Sequence, residues 1–173
     1  VPAILEHAAV RRVVDAAAKK GVAIEVTAFD ESTHTASQAA RAVRAELGQI
    51  VKSLVFVIPR QDDDLEPVLC LVSGPNRVDL GRLAAVLANS DVRRANAREA
   101  NDLSGFVIGG IPPFGHERRM RVVMDPDLGR FETVWAAAGL PNVVFPVSPS
   151  TLRMLADAQV APIAEDPPVE RAS

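Results

Sequence analysis

Tyrosine is absent from this sequence, and aromatic residues make up only 4% of it. A protein that reads RNA by stacking bases on exposed rings needs more of them, so that class is disfavoured. A single cysteine, Cys70, rules out an internal disulfide and a cysteine-based zinc site, and suits a reducing compartment. The three histidines, His7, His34 and His116, form no pair at metal-ligand spacing. No apolar run spans a bilayer and the N-terminus has no secretory core, so a soluble, cytoplasmic protein without a membrane partner is expected. Positive charge is not in excess: the net charge is −3, and any nucleic-acid contact must come from a local basic patch. There is no G-x-S-x-G elbow, P-loop or G-x-G-x-x-G, which leaves covalent serine hydrolases and common nucleotide folds without a foothold.

What is present is a chain of 173 residues, 48% hydrophobic, enough for one packed core. Residues 1–164 read as a single domain, and residues 165–173, with Pro167-Pro168, as a flexible tail. Helical spacing of Leu5, Ala8, Ala9, Val13 and Ala16 predicts a helix over 4–20, stopped by Gly21. A strand is expected over 22–29, then a polar turn over 30–34. Thr35 and Gln38 have the spacing of a capping box that opens an alanine-rich helix ending near Gly48. Residues 50–58 read as the strongest strand, central and covered on both faces, followed by an acidic turn at Asp62-Asp63-Asp64 and a strand over 68–72. Helices are expected over 78–87 and, rich in arginine, over 91–101. Strands at 106–108 and 122–124, a hairpin of 133–137 with 143–147, and a helix behind Ser148-Pro149 complete the chain. The order predicts a mixed α/β fold, with helices around an irregular or partly closed β-sheet.

Two stretches carry chemistry. In residues 105–116, Gly109-Gly110 allows φ > 0 and close approach to backbone amides, while Pro112-Pro113 stiffens the rest of the loop. Bare amides on a stiff loop suit a carbonyl oxygen or phosphate; the plainer reading is a tight connection between strands. Lys52 interrupts an apolar strand, where an ammonium must be paired, reach water, or point into a cleft. Ser53 belongs to the opposite face of a regular strand. His116 is a candidate proton donor or orienting group, against two histidines expected at the surface. Cys70 reads as a small buried hydrophobe, and the three aspartates as a solvated turn rather than a metal site.

Together these pieces resemble the YbaK/EbsC family of aminoacyl-tRNA deacylases, related to the editing domain of bacterial prolyl-tRNA synthetases. The resemblance rests on the helix opening at Thr35-Ala-Ser-Gln38, the segment from Gln49 through Lys52 to Phe56, Val78-Asp79-Leu80, and the loop from Gly105 to His116. It implies a YbaK-like fold and trans-editing, the hydrolysis of the ester joining a wrong small amino acid to the tRNA 3′ end. By position it implies catalytic roles for Lys52, Gly109 and Gly110, and substrate contacts from Ser53, Ile111, Pro112, Pro113 and His116. Arg118, Arg119 and Arg121 become candidates for tRNA phosphates, with Arg93, Arg94 and Arg98 behind them. No cofactor or metal is implied; the partners are an aminoacyl-tRNA end and prolyl-tRNA synthetase or another synthetase. Phe29-Asp30 departs from the His-Asp of several relatives, which weakens any second catalytic histidine. A binding module that holds the same tRNA end without cleaving it, and a hydrolase of another activated ester, remain alternatives.

Overall fold

The computed structural model describes residues 3–29 and 35–167. The polar turn expected over 30–34, including His34 and the Asp30 departure, lies outside the described residues, as does the tail from 168 onward. The N-terminal apolar repeat folds in two pieces. A 3-10 turn, Ala3–Glu6, precedes helix α1, Ala8–Lys19, because His7 leaves the helical region and its Nδ1 accepts from the Ala9 amide at 3.1 Å. Lys20 then reaches across to the end of the last helix, donating to the carbonyls of Met154 and Leu155 and to Asp157 Oδ2 at 2.8 Å. Of the strand expected over 22–29, only β1, Thr27–Ala28, pairs. Val22, Ile24 and Val26 pack on the core, but their backbone joins no ladder.

Thr35 caps helix α2, Ala36–Val43, through the expected box: the Gln38 amide donates to Thr35 Oγ1 at 3.1 Å and the Thr35 amide to Gln38 Oε1 at 3.2 Å. α2 ends where Arg44 turns left-handed, earlier than expected, and a 3-10 turn, Leu47–Gln49, leads into strand β2, Val51–Pro59. β2 forms an antiparallel hairpin with β3, Leu65–Ser73. Helix α3, Leu80–Leu87, follows its Asp79 cap. The arginine-rich helix expected over 91–101 is instead a two-residue strand, β4, Arg93–Arg94, and a later helix, α4, Ala97–Ser104. Asn96 and Glu99 form a second capping box there, which forbids an earlier helix start. The remaining elements are β5, Arg121–Met124; β6, Val134–Ala137; β7, Val143–Val147; α5, Pro149–Ala156; and β8, Gln159–Val160.

The expected mixed α/β fold is organised on two sheets. The larger has the order β4-β2-β3-β5-β8, antiparallel around the hairpin and parallel beyond β3; the smaller is β1-β7-β6. The central strand is therefore β3, not β2 as the apolar run suggested. On one face of the larger sheet Val55, Val57, Leu69 and Leu71 share a core with α1, α5 and the smaller sheet. On the other, Phe56, Ile58, Cys70 and Val72 pack with Leu83 and Leu87 of α3. The two sheets touch at a bridge between Ile50 and Trp135, reinforced where Gln49 Nε2 donates to the Thr133 carbonyl at 2.9 Å. Among the described residues, no helix is long and apolar enough to cross a membrane.

The last turns of the chain hang on one buried carboxylate. Asp125 accepts from the amides of Asp127, Ile163 and Ala164 at 2.9, 3.0 and 2.9 Å. Asp125→Ala leaves these donors without that partner, two of them belonging to the segment beyond β8. The expected loss is about 3 kcal/mol, read as a lower urea midpoint, with Asp125→Asn recovering part of it.

Candidate active site

β4 covers β2 only at Phe56 and Val57, so the first half of β2 has an open edge. α2, the glycine loop and the smaller sheet close around that edge and leave a cavity of ≈ 230 Å³. Lys52, Ser53, Arg94, Gly109 and Trp135 line it, with Ile111 and small apolar side chains completing the wall. Among the described residues, no lining side chain is a carboxylate, an imidazole or a thiol. Those described residues thus offer positive charge, the hydroxyl residues Thr35 and Ser53, and backbone, and supply no carboxylate or imidazole base.

Lys52 neither floats in solvent nor meets an acid. Its Nζ donates to the main-chain carbonyl of Asn76, whose side-chain amide is held by Asp127 Oδ2 at 2.7 Å. Burial, and then the charges of Arg77 and Arg94, push its pKa below the ordinary lysine value. Ser53 lies on the other pleat face, yet the cavity wraps the strand edge and receives both. The Ser53 Oγ is sealed from solvent and has no hydrogen-bond partner among the described residues. Such a hydroxyl costs about 1–3 kcal/mol.

The apolar run 106–108 is not a strand. Phe106 is buried beneath the Arg12 guanidinium, 5.0 Å from its ring centre, whereas Val107 and Ile108 are 48% and 54% exposed. The carbonyl of Phe106 is taken by the side chains of Asn101 and Ser104, which bends the chain out of any ladder. A turn comes next, in which the Gly110 amide donates to the Val107 carbonyl at 3.0 Å and Gly109 has φ +89°. Gly110 is glycine for another reason: a Cβ there would lie 2.8 Å from the Leu140 backbone. Its carbonyl accepts from Gly139 at 3.0 Å, stitching the loop to the β6–β7 hairpin. The Gly110 amide is therefore engaged and cannot face an oxyanion. The Gly109 amide makes no hydrogen bond with another described residue.

His116 and the prolines stand apart from this cavity. The His116 Nε2–H donates to the Pro112 carbonyl at 2.6 Å, and its ring meets Phe106 edge-on at 6.4 Å. Burial pushes its pKa below 6.5, so it braces the loop as a neutral ring. His116 and Pro113 line a second cleft with Arg119 and Arg121. Arg121 donates to Gln159 Oε1 at 3.0 Å, and Arg118 pairs with Asp64 at 3.3 Å. Arg93 is clamped by Glu99, and Arg98 lies 3.8 Å from Asp102. Cys70 is fully buried, its thiol pushed up to about 12. Sequence reasoning placed Arg94 on a helix and overlooked Trp135. The Asn96…Glu99 spacing was the signal that would have freed Arg94 from that helix; nothing local marks Trp135.

Comparison with known proteins adds a consistent set of likenesses. A family model described as the aminoacyl-tRNA editing domain matches residues 30–155. A solved structure described as a candidate trans-editing enzyme for prolyl-tRNA synthetase superposes with a TM-score of 0.83 at 42% identity, covering 92% of this chain and 98% of that one. EbsC of Enterococcus faecalis, named as a candidate Cys-tRNA(Pro)/Cys-tRNA(Cys) deacylase, is 24% identical over 79% of this chain and 80% of its own. The Escherichia coli K12 Ser/Thr-tRNA deacylase ProXp-y is 32% identical over 54% of this chain and 56% of its own.

Two measurements test this geometry. Gly110→Ala drives a methyl into the Leu140 backbone and is expected to cost about 2 kcal/mol or more, whereas Gly109→Ala has 3.6 Å of clearance to Pro141 and costs about 1 kcal/mol of φ strain; urea unfolding of both variants checks the order. His116 is held neutral in the fold, so its contribution to stability is complete above pH 6.5 and is lost as pH falls below it. His116→Gln keeps a donor for Pro112 and should flatten the stability profile between pH 7 and 5.

Proposed function

The chain belongs to the aminoacyl-tRNA editing family, and from that premise we propose that it is a trans-editing hydrolase that removes a wrongly attached small amino acid from tRNA. The substrate class is alanine, serine, threonine, cysteine or 2-aminobutyrate on tRNA-Pro or a similar isoacceptor, cleared in the cytoplasm either alone or beside prolyl-tRNA synthetase. One observation carries the reading: Lys52, Ser53 and Gly109 line one cavity, and none of the described residues around it carries an acid, an imidazole or a thiol. That inventory is too poor for a demanding hydrolysis. It suffices for an aminoacyl ester, which is already activated and needs a placed water and a stabilised oxyanion.

In this mechanism water adds to the ester carbonyl, and the tetrahedral oxyanion forms against the Gly109 amide. Lys52, pinned through Asn76, supplies positive charge to the carbonyl or to the terminal phosphate. The proton of the attacking water passes through the substrate's own amine or ribose hydroxyl, and collapse releases the free amino acid and the tRNA 3′-terminal hydroxyl. Gly110, Pro112, Pro113 and His116 hold the loop in place. Ser53 and Ile111 face the amino acid side chain, where size selection among methyl, hydroxyl and thiol is worth only ~1–3 kcal/mol.

The test is deacylation of a panel of tRNAs charged with Ala, Ser, Thr, Cys, 2-aminobutyrate and Pro, with wild type and Lys52→Ala side by side. Selective loss of a small amino acid, slowed about 100-fold or more in the variant, is expected. Tight binding of every charged tRNA with no ester cleavage would leave only the binding module.

A further inference from the structure

The cavity holds a second cation, one with no part in the hydrolytic step. Arg94 lines the cavity, its guanidinium over the Phe56 ring at 5.6 Å, its backbone fixed by β4 pairing and by the Ala95 amide donating to the Val55 carbonyl at 3.0 Å. Several arginines of this chain are neutralised by a carboxylate. Arg60, Arg82, Arg93, Arg118 and Arg130 each pair with a carboxylate at 3.3 Å or less, Arg93 through both guanidinium nitrogens. Arg94 has no such partner among the described residues, and none of the described residues lining its cavity is a carboxylate. Two like charges, Lys52 and Arg94, are thus brought to one cavity without an intervening acid, and each raises the cost of the other. An anion relieves both. A planar guanidinium stacked on a ring and offering its N–H edge suits a phosphate's paired oxygens.

We propose that Arg94 binds the phosphodiester on the 5′ side of the terminal nucleoside of the acceptor end, leaving Lys52 to the ester carbonyl. Arg94 is then a positioning residue: it sets how deeply the terminal nucleoside enters, and hence where the ester meets Gly109. The assignment rests on the editing reading but is tested separately from it. The probes are a 3′-O-aminoacyl adenosine and its 5′-phosphorylated counterpart, each with wild type, Arg94→Gln and Arg94→Lys. Arg94→Gln should lose about tenfold more in kcat/KM on the phosphorylated ester than on the unphosphorylated one, mainly through KM, with Arg94→Lys between. On full aminoacyl-tRNA the slope of log kcat/KM against log salt should fall by about 0.7. Equal losses on both small esters would overturn the proposal. If wild type cleaves neither ester, the editing reading fails, and binding of adenosine 5′-monophosphate against adenosine decides the phosphate assignment alone. A phosphate preference lost in Arg94→Gln upholds it; no preference refutes it.

Discussion

The site exists because one strand ladder stops short. β4 pairs with β2 at two positions only, and the smaller sheet is bridged to the residue that precedes β2, Ile50 to Trp135. Between those contacts β2 keeps an open edge inside an otherwise covered sheet. Open edges are normally protected because their free backbone groups invite unwanted pairing. Here α2, the glycine loop and Trp135 form the protection at a distance, and the space between is the cavity. Its boundaries depend on that gap: extend β4 by four residues, to Arg98, and Lys52 and Ser53 would face a neighbouring strand.

Electrostatics then sets what the cavity accepts. Elsewhere the chain neutralises several of its arginines with carboxylates, and its net charge is negative. Against that background a half-buried ammonium and a stacked guanidinium share one cavity whose described lining holds no acid. The fold tolerates the ammonium by giving it a carbonyl, Asn76, that is itself tied to Asp127. Much of the remaining lining is small and apolar, with Ala36, Ala39, Ala95, Ala100 and Ala137 in it. Both features favour a ligand that is polar at one end and small and apolar at the other.

Legibility in the sequence tracked the range of the forces involved. The α2 capping box was readable because its partners lie three residues apart. Lys52 was readable because one charge in an apolar strand is anomalous whatever surrounds it. The run at 106–108 misled: three apolar residues fit a strand, but side chains of Asn101 and Ser104 capture the Phe106 carbonyl and expose its two successors. Gly109 and Gly110 looked equivalent in the sequence. Only the closeness of Leu140, thirty residues on, separates a turn glycine from a packing glycine. The family resemblance carried the fold correctly because it integrates such distant contacts; it could not say which residues share one cavity.

The bridge between Ile50 and Trp135 joins residues roughly 85 apart in the chain. The β2–β3 hairpin is local and can form early, presenting Lys52 on an unfinished edge. The walls supplied by Trp135, Ala137, Pro141 and Val144 arrive only with the last third of the chain. The cavity is therefore among the latest features to assemble, after the loop entropy separating its two halves has been overcome. A nascent chain emerging in order would carry its exposed cationic strand before it had any site, and would gain selectivity and shelter for that edge in the same closing step.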